Sequence, residues 1–99
     1  MYPTPETIIR AVAAVFPVTP EEITGPGRQR NQVDARSVVA YLVQKQLRMS
    51  NRQTVELLGR HCRSIAVSYR RRHDDLYTAD KQYRNMVDRV IRLLEVGTA

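Results

Sequence analysis

The spacing of apolar residues constrains this chain more than any other feature. They recur three and four residues apart along most of the chain, and nowhere do they alternate with polar residues as in a half-buried strand. The pattern predicts an all-α fold, a compact bundle of about five to six helices in one domain spanning residues 1–99. Three helix starts are marked by local capping chemistry. Thr4-Pro5-Glu6 combines a hydroxyl acceptor, the residue suited to the first helical position and an acid that complements the dipole. Ile8, Ile9, Val12, Ala13, Val15 and Phe16 then form an apolar face that stops before Pro17. Thr19-Pro20-Glu21-Glu22 repeats the signal but supports only one or two turns before Gly25-Pro26-Gly27 breaks the chain. Ser50-Asn51-Arg52-Gln53 is a capping-box pattern that opens a short helix holding Val55, Leu57 and Leu58.

The remaining boundaries follow from weaker signals. Arg28 to Gln32, which has no apolar residue, reads as an exposed loop, and Asp34 reads as the N-cap of a helix running to about Arg48. Val33 and Val38 sit at the spacing of a hydrophobic staple, and Val38, Val39, Tyr41, Leu42 and Leu47 supply its apolar positions. Gly59 ends the short helix, at a position that favours a residue tolerant of positive φ. The next helix begins between His61 and Ser64, buries Ile65, Tyr69 and Leu76, and breaks near Asp74 to Thr78. The last runs from about Ala79 to Glu95, with Tyr83, Met86, Val87, Val90, Ile91 and Leu94 inward.

Charge is segregated along this scaffold. The chain carries a net +6, yet residues 1–27 sum to −2 and residues 74–99 to −1. The middle block, 28–73, sets eleven basic side chains against Asp34 and Glu56, a net +9. A positive field confined to one part of a small domain suits a polyanion such as nucleic acid. The same charge also fits a solvated basic surface. The single Cys62 excludes an internal disulfide and fits a reducing, cytoplasmic setting. No apolar run approaches the roughly 18 residues of a membrane span, and no signal peptide is visible, so no membrane partner is expected.

A short capped helix joined by a glycine turn to a second helix is helix-turn-helix spacing, over about residues 50–77. The turn and the start of the second helix read Gly59-Arg60-His61-Cys62-Arg63-Ser64. Arg60 and Arg63 can fork onto phosphates or onto guanine O6 and N7, and Ser64 can donate to a phosphate. Arg70-Arg71-Arg72 point in three directions, so one or two contact phosphate or the run is a solvated face in which Arg72 pairs Asp75.

These residues resemble a family. Gly59-Arg60-His61-Cys62-Arg63-Ser64-Ile65 is similar to the signature G-R-D-H-T-T-V of the C-terminal DNA-binding domain of the bacterial replication initiator DnaA, a Trp-repressor-like helical fold. Arg28-Gln29-Arg30 and Asp34-Ala35-Arg36-Ser37-Val38-Val39-Ala40-Tyr41-Leu42 sit where that family has its arginine-rich loop and an R-x-x-A-x-x-L helix. The resemblance implies that Arg30, beside Arg28, enters the minor groove, that Arg36 touches backbone phosphate, and that the start of the second helix reads the major groove. His61, Cys62 and Arg63 replace the aspartate, histidine and first threonine at base-reading positions, and Val67 replaces a later histidine. Those departures imply a different preferred sequence. The expected DNA-contacting set is Arg28, Arg30, Arg36, Ser50, Arg52, Arg60, His61, Cys62, Arg63 and Ser64, with duplex DNA as partner.

The chain reads as a binding protein with no catalytic residue, cofactor, metal or small-molecule substrate. It has no G-x-x-x-x-G-K-[ST] loop for ATP. His61, Cys62 and His73 lack metal-ligand spacing, and nothing orients His61 as a base toward Cys62. The alternative is a basic helical module that binds a protein or RNA.

Overall fold

The computed structural model describes residues 3–98, with the side chains of Gly97 and Thr98 left aside. Among these residues there are six helices and no strand. They are α1 (Pro5–Val15), α2 (Pro20–Thr24), α3 (Arg30–Leu47), α4 (Asn51–Leu57), α5 (Arg63–Ala79) and α6 (Lys81–Thr98). The three capping signals act as their chemistry predicts. Thr4 Oγ1 accepts from the Thr7 amide at 3.1 Å. In the Thr19 box the Glu22 amide donates to Thr19 Oγ1 at 3.1 Å and the Thr19 amide to Glu22 Oε1 at 2.9 Å. The Ser50–Gln53 pair repeats that exchange at 3.1 and 2.9 Å.

α3 is the central helix. Ten of its residues are buried, including Ala35, Val38, Val39, Ala40, Leu42 and Val43. A helix covered on several sides belongs inside the bundle, and α1, α2, α4 and α5 all pack on it. α6 closes the core against α1 and α5, burying Tyr83, Val87, Val90 and Leu94 against Ile8, Ile9, Val12 and Phe16.

Two boundaries and the buried face of one helix differ from the sequence reading. α3 starts at Arg30, so Arg30 is its first helical residue and Asp34 lies a turn inside. Gln29 takes the cap position, and its amide donates to Gln32 Oε1 at 3.3 Å. Asp34 instead accepts from Arg72 of α5 at 2.8 Å. A carboxylate is a good cap in isolation, but a guanidinium from another helix is the stronger partner in a poorly solvated site. α5 runs unbroken through residues 74–78, and the chain turns only at Asp80, whose Oδ1 accepts from the Tyr83 amide at 3.1 Å. Finally, the most buried residues of α5 are Ala66 and His73, while Ile65, Tyr69 and Leu76 are half-buried.

His73 belongs to a polar cluster within the core. Its Nδ1 lies 2.9 Å from the Tyr83 hydroxyl, and its ring stacks on Tyr41 with centroids 4.0 Å apart. Burial holds the imidazole pKa down to about 4, so the ring is neutral at pH 7.

Candidate nucleic-acid interface

α4 and α5 form the helix-turn-helix. The turn is closed by backbone bonds from the Gly59 amide to Glu56 O at 3.1 Å and from the Arg60 amide to Val55 O at 2.7 Å, a Schellman pattern. Gly59 has φ 72°, and a Cβ there would lie 2.6 Å from the Thr24 carbonyl oxygen. Two separate requirements therefore exclude a side chain: the left-handed backbone and the approach of the α2 end. Gly59→Ala should cost at least about 2 kcal/mol, read as a lower urea midpoint. A loss within about 0.5 kcal/mol, the ordinary range of a surface change, would mean that the turn accepts a side chain after all.

Beyond the turn, His61, Cys62, Arg63 and Ser64 are all exposed. Cys62 occupies the N-cap of α5 with extended backbone but makes no side-chain cap bond. The first amides of such a helix lack intrahelical partners and carry the positive end of the dipole. Cys62 Sγ lies 2.9 Å from Ser64 Oγ. That hydroxyl is the main cause that holds the thiol below its usual range. From here an exposed stripe continues along α5 through Val67, Ser68 and Arg71.

The arginines divide into two groups. Arg28 is exposed in the α2–α3 loop, and Arg30 is exposed at the first turn of α3, 3.8 Å from Asp34. Arg52 is exposed on α4 and pairs Glu56 at 3.2 Å, with Ser50 exposed at the cap before it. These side chains and those of residues 61–64 are open to a ligand. Arg36 is not, which corrects the phosphate role implied by the resemblance. It is 1% exposed. Its Nε donates to Ile23 O at 2.8 Å, and its Nη2 donates to Glu22 O at 2.9 Å and Gly25 O at 2.8 Å. Arg36 thus satisfies the C-terminal carbonyls of α2. Arg72 turns inward to Asp34 rather than to Asp75, and Arg70 bonds Gln44 Oε1 at 2.7 Å beside the Tyr41 ring.

Arg60 is half-buried, and its Nη1 donates to both Gly25 O and Leu58 O at 2.6 Å. The Gly25 carbonyl therefore receives Arg36 from α3 and Arg60 from the helix-turn-helix. This junction ties the loop that carries Arg28 to the turn that carries residues 61–64. A groove of about 560 Å³ lies between them, lined by Pro26, Arg28, Arg60, Ile65 and Tyr69 among others. Sequence reasoning missed the junction because Gly25 and Arg60 are 35 residues apart and no local pattern links them. It also left Val67 outside the candidate set, although its place four residues after Arg63 put it on the same helical face. Among the described residues no three His, Cys, Asp or Glu side chains gather to hold a metal ion, and no helix is long and apolar enough to cross a membrane.

A short capped helix, a glycine-closed turn and a basic second helix, mounted on an otherwise helical core, define the DNA-binding helix-turn-helix class. Within it, the chain belongs to the family of the bacterial dnaA protein helix-turn-helix, which matches residues 5–73, from the start of α1 into α5. It is also similar to the chromosomal replication initiator protein DnaA of Roseiflexus castenholzii (strain DSM 13941 / HLO8), with 41% identity over 56 residues. That stretch is 57% of this chain and 12% of the relative, so the chain corresponds to a small part of the initiator's length.

Proposed function

We propose that this chain binds duplex DNA sequence-specifically, docking the start of α5 in the major groove and the loop and first turn of α3 in the neighbouring minor groove, without ATP hydrolysis. The observation that carries the reading is the exposed run His61–Ser64 at the start of a helix whose glycine turn is bonded to the arginine-bearing loop. Arg63 supplies a planar fork for guanine, and Ser50, Arg52 and Ser64 supply phosphate contacts. Arg28 and Arg30 reach the narrow groove as cations that read its negative potential. In this assignment Arg60 acts mainly by holding the turn against the loop, and Arg36 only by supporting the loop from within.

Filter binding over a salt series tests the reading. If four to six phosphates are neutralised, log affinity should fall against log salt with a slope of roughly −4 to −5. Arg63→Thr should cost about 1–3 kcal/mol on the preferred site and much less on random duplex. A flat salt response would overturn the electrostatic docking. Uniform weakening on every sequence would reduce Arg63 to a phosphate contact.

A further inference from the structure

The outward stripe of α5 carries one apolar side chain among polar neighbours. Arg63, Ser64, Val67, Ser68 and Arg71 share a face at helical spacing and are all exposed, while Ala66 and His73 turn into the core. Val67 is 45% exposed, and the other large exposed hydrophobics among the described residues, Leu93 and Val96, lie far along the chain on α6. Val67 stands four residues after Arg63, about 6 Å further along the axis. When the first turn of a helix enters the major groove, that distance keeps the next turn facing base edges.

Those edges present hydrogen-bond donors and acceptors and one apolar group, the C5-methyl of thymine. An isopropyl group pressed on a donor or acceptor would strip its water and return no hydrogen bond, which is unfavourable. Pressed on the methyl, it removes apolar surface from water on both sides. Valine also suits the task conformationally. Its χ1 is nearly fixed in a helix, so its two methyls point in one direction before any DNA arrives. We propose that Val67 is a specificity-determining residue that packs on a thymine C5-methyl one helical turn beyond the base read by Arg63. This rests on the major-groove docking of α5 proposed above.

Wild-type protein first selects its preferred duplex from a random library, so the target sequence is found by the protein itself. Each thymine of that duplex is then replaced in turn by deoxyuridine, which removes only the methyl group. Affinities are measured by fluorescence anisotropy for wild type and Val67→Ala, with circular dichroism showing that both are folded. One position should weaken wild type by about fourfold, the worth of one methyl-sized group returned to water. The same replacement should leave Val67→Ala unchanged. A selected duplex in which no deoxyuridine weakens wild type, or in which each weakens both proteins equally, overturns the role of Val67 and leaves the docking intact. If no sequence is enriched and no duplex is retained at low salt, both the docking and this inference fall.

Discussion

Arg36→Ala should destabilise the protein by about 3–5 kcal/mol, a large fraction of the roughly 5–15 kcal/mol typical of a domain. The guanidinium serves the carbonyls of Glu22, Ile23 and Gly25 from inside the fold. Alanine leaves the first two without this donor, at roughly 1–3 kcal/mol for each buried group left unmade, and opens a cavity where the side chain stood. The Gly25 carbonyl keeps Arg60. Arg36→Lys should recover only part of the loss, because one ammonium cannot reproduce the spread of Nε and Nη2. Urea unfolding reads this as a lower midpoint at unchanged slope. Duplex affinity of the folded variant should fall as well, since the loop bearing Arg28 loses its inner support. If Arg36→Ala instead left stability within about 1 kcal/mol and weakened only DNA binding, the side chain would be a phosphate contact and not a buried support.

The second large effect is acid sensitivity through His73. Its folded-state pKa of about 4 lies below the 6.5 of an unperturbed imidazole. Desolvation is the main cause. Asp74 opposes it, while the charges of Arg70 and Lys45 add to it. Between those two values the unfolded chain binds a proton that the folded chain refuses, so stability must rise with pH. The contribution is complete above pH 6.5 and is lost as pH falls toward 4. The full span is about 3 kcal/mol, of which about 2 is gone by about pH 5. Urea midpoints of wild type and His73→Gln, compared at steps from about pH 7.5 to 5, isolate this term from the carboxylates, which titrate lower. Wild type should lose stability steeply across the range, and the variant should be nearly flat whatever its starting stability. Parallel slopes would mean that the imidazole charges freely in the fold. The sensitivity is a cost of placing a titratable ring between Tyr41 and Tyr83, where its hydrogen bond gives the core a defined geometry.

The two sites were invisible in the sequence for the same reason. Arg36 lies in a stretch whose family resemblance implied a surface arginine, and nothing local shows that the end of α2 folds back over it. His73 follows three arginines and carries no local sign of burial, yet the period of α5 turns it under α3 and α6. Asp34 is a third instance. Its type and place make a good N-cap, but Arg72, 38 residues away, competes for the carboxylate and wins. By contrast, the caps at Thr4, Thr19 and Ser50 were legible because each bond spans three residues and depends on no other part of the chain. The same holds for the backbone need at Gly59, although the nearness of Thr24 that reinforces it was not legible.

What the sequence by itself determined is the class of fold and the location of the charge. Apolar spacing and capping are local or periodic, and neither depends on which neighbours each helix meets. It also placed the start of the helix after the glycine turn within residues 61–64, where α5 begins at Arg63. Only the tertiary structure decided which arginines stay exposed. A guanidinium has the same charge and donors in a loop, at a turn or in a core, and its role depends on whether carbonyls, a carboxylate or water surround it. Arg36 is claimed by the end of α2, Arg72 by Asp34, and Arg60 in part by Gly25 and Leu58, while Arg28, Arg30, Arg52 and Arg63 of the candidate set face solvent, as do Arg48 and Arg71. Those partners lie on other helices or in other turns, and packing alone brings them within reach.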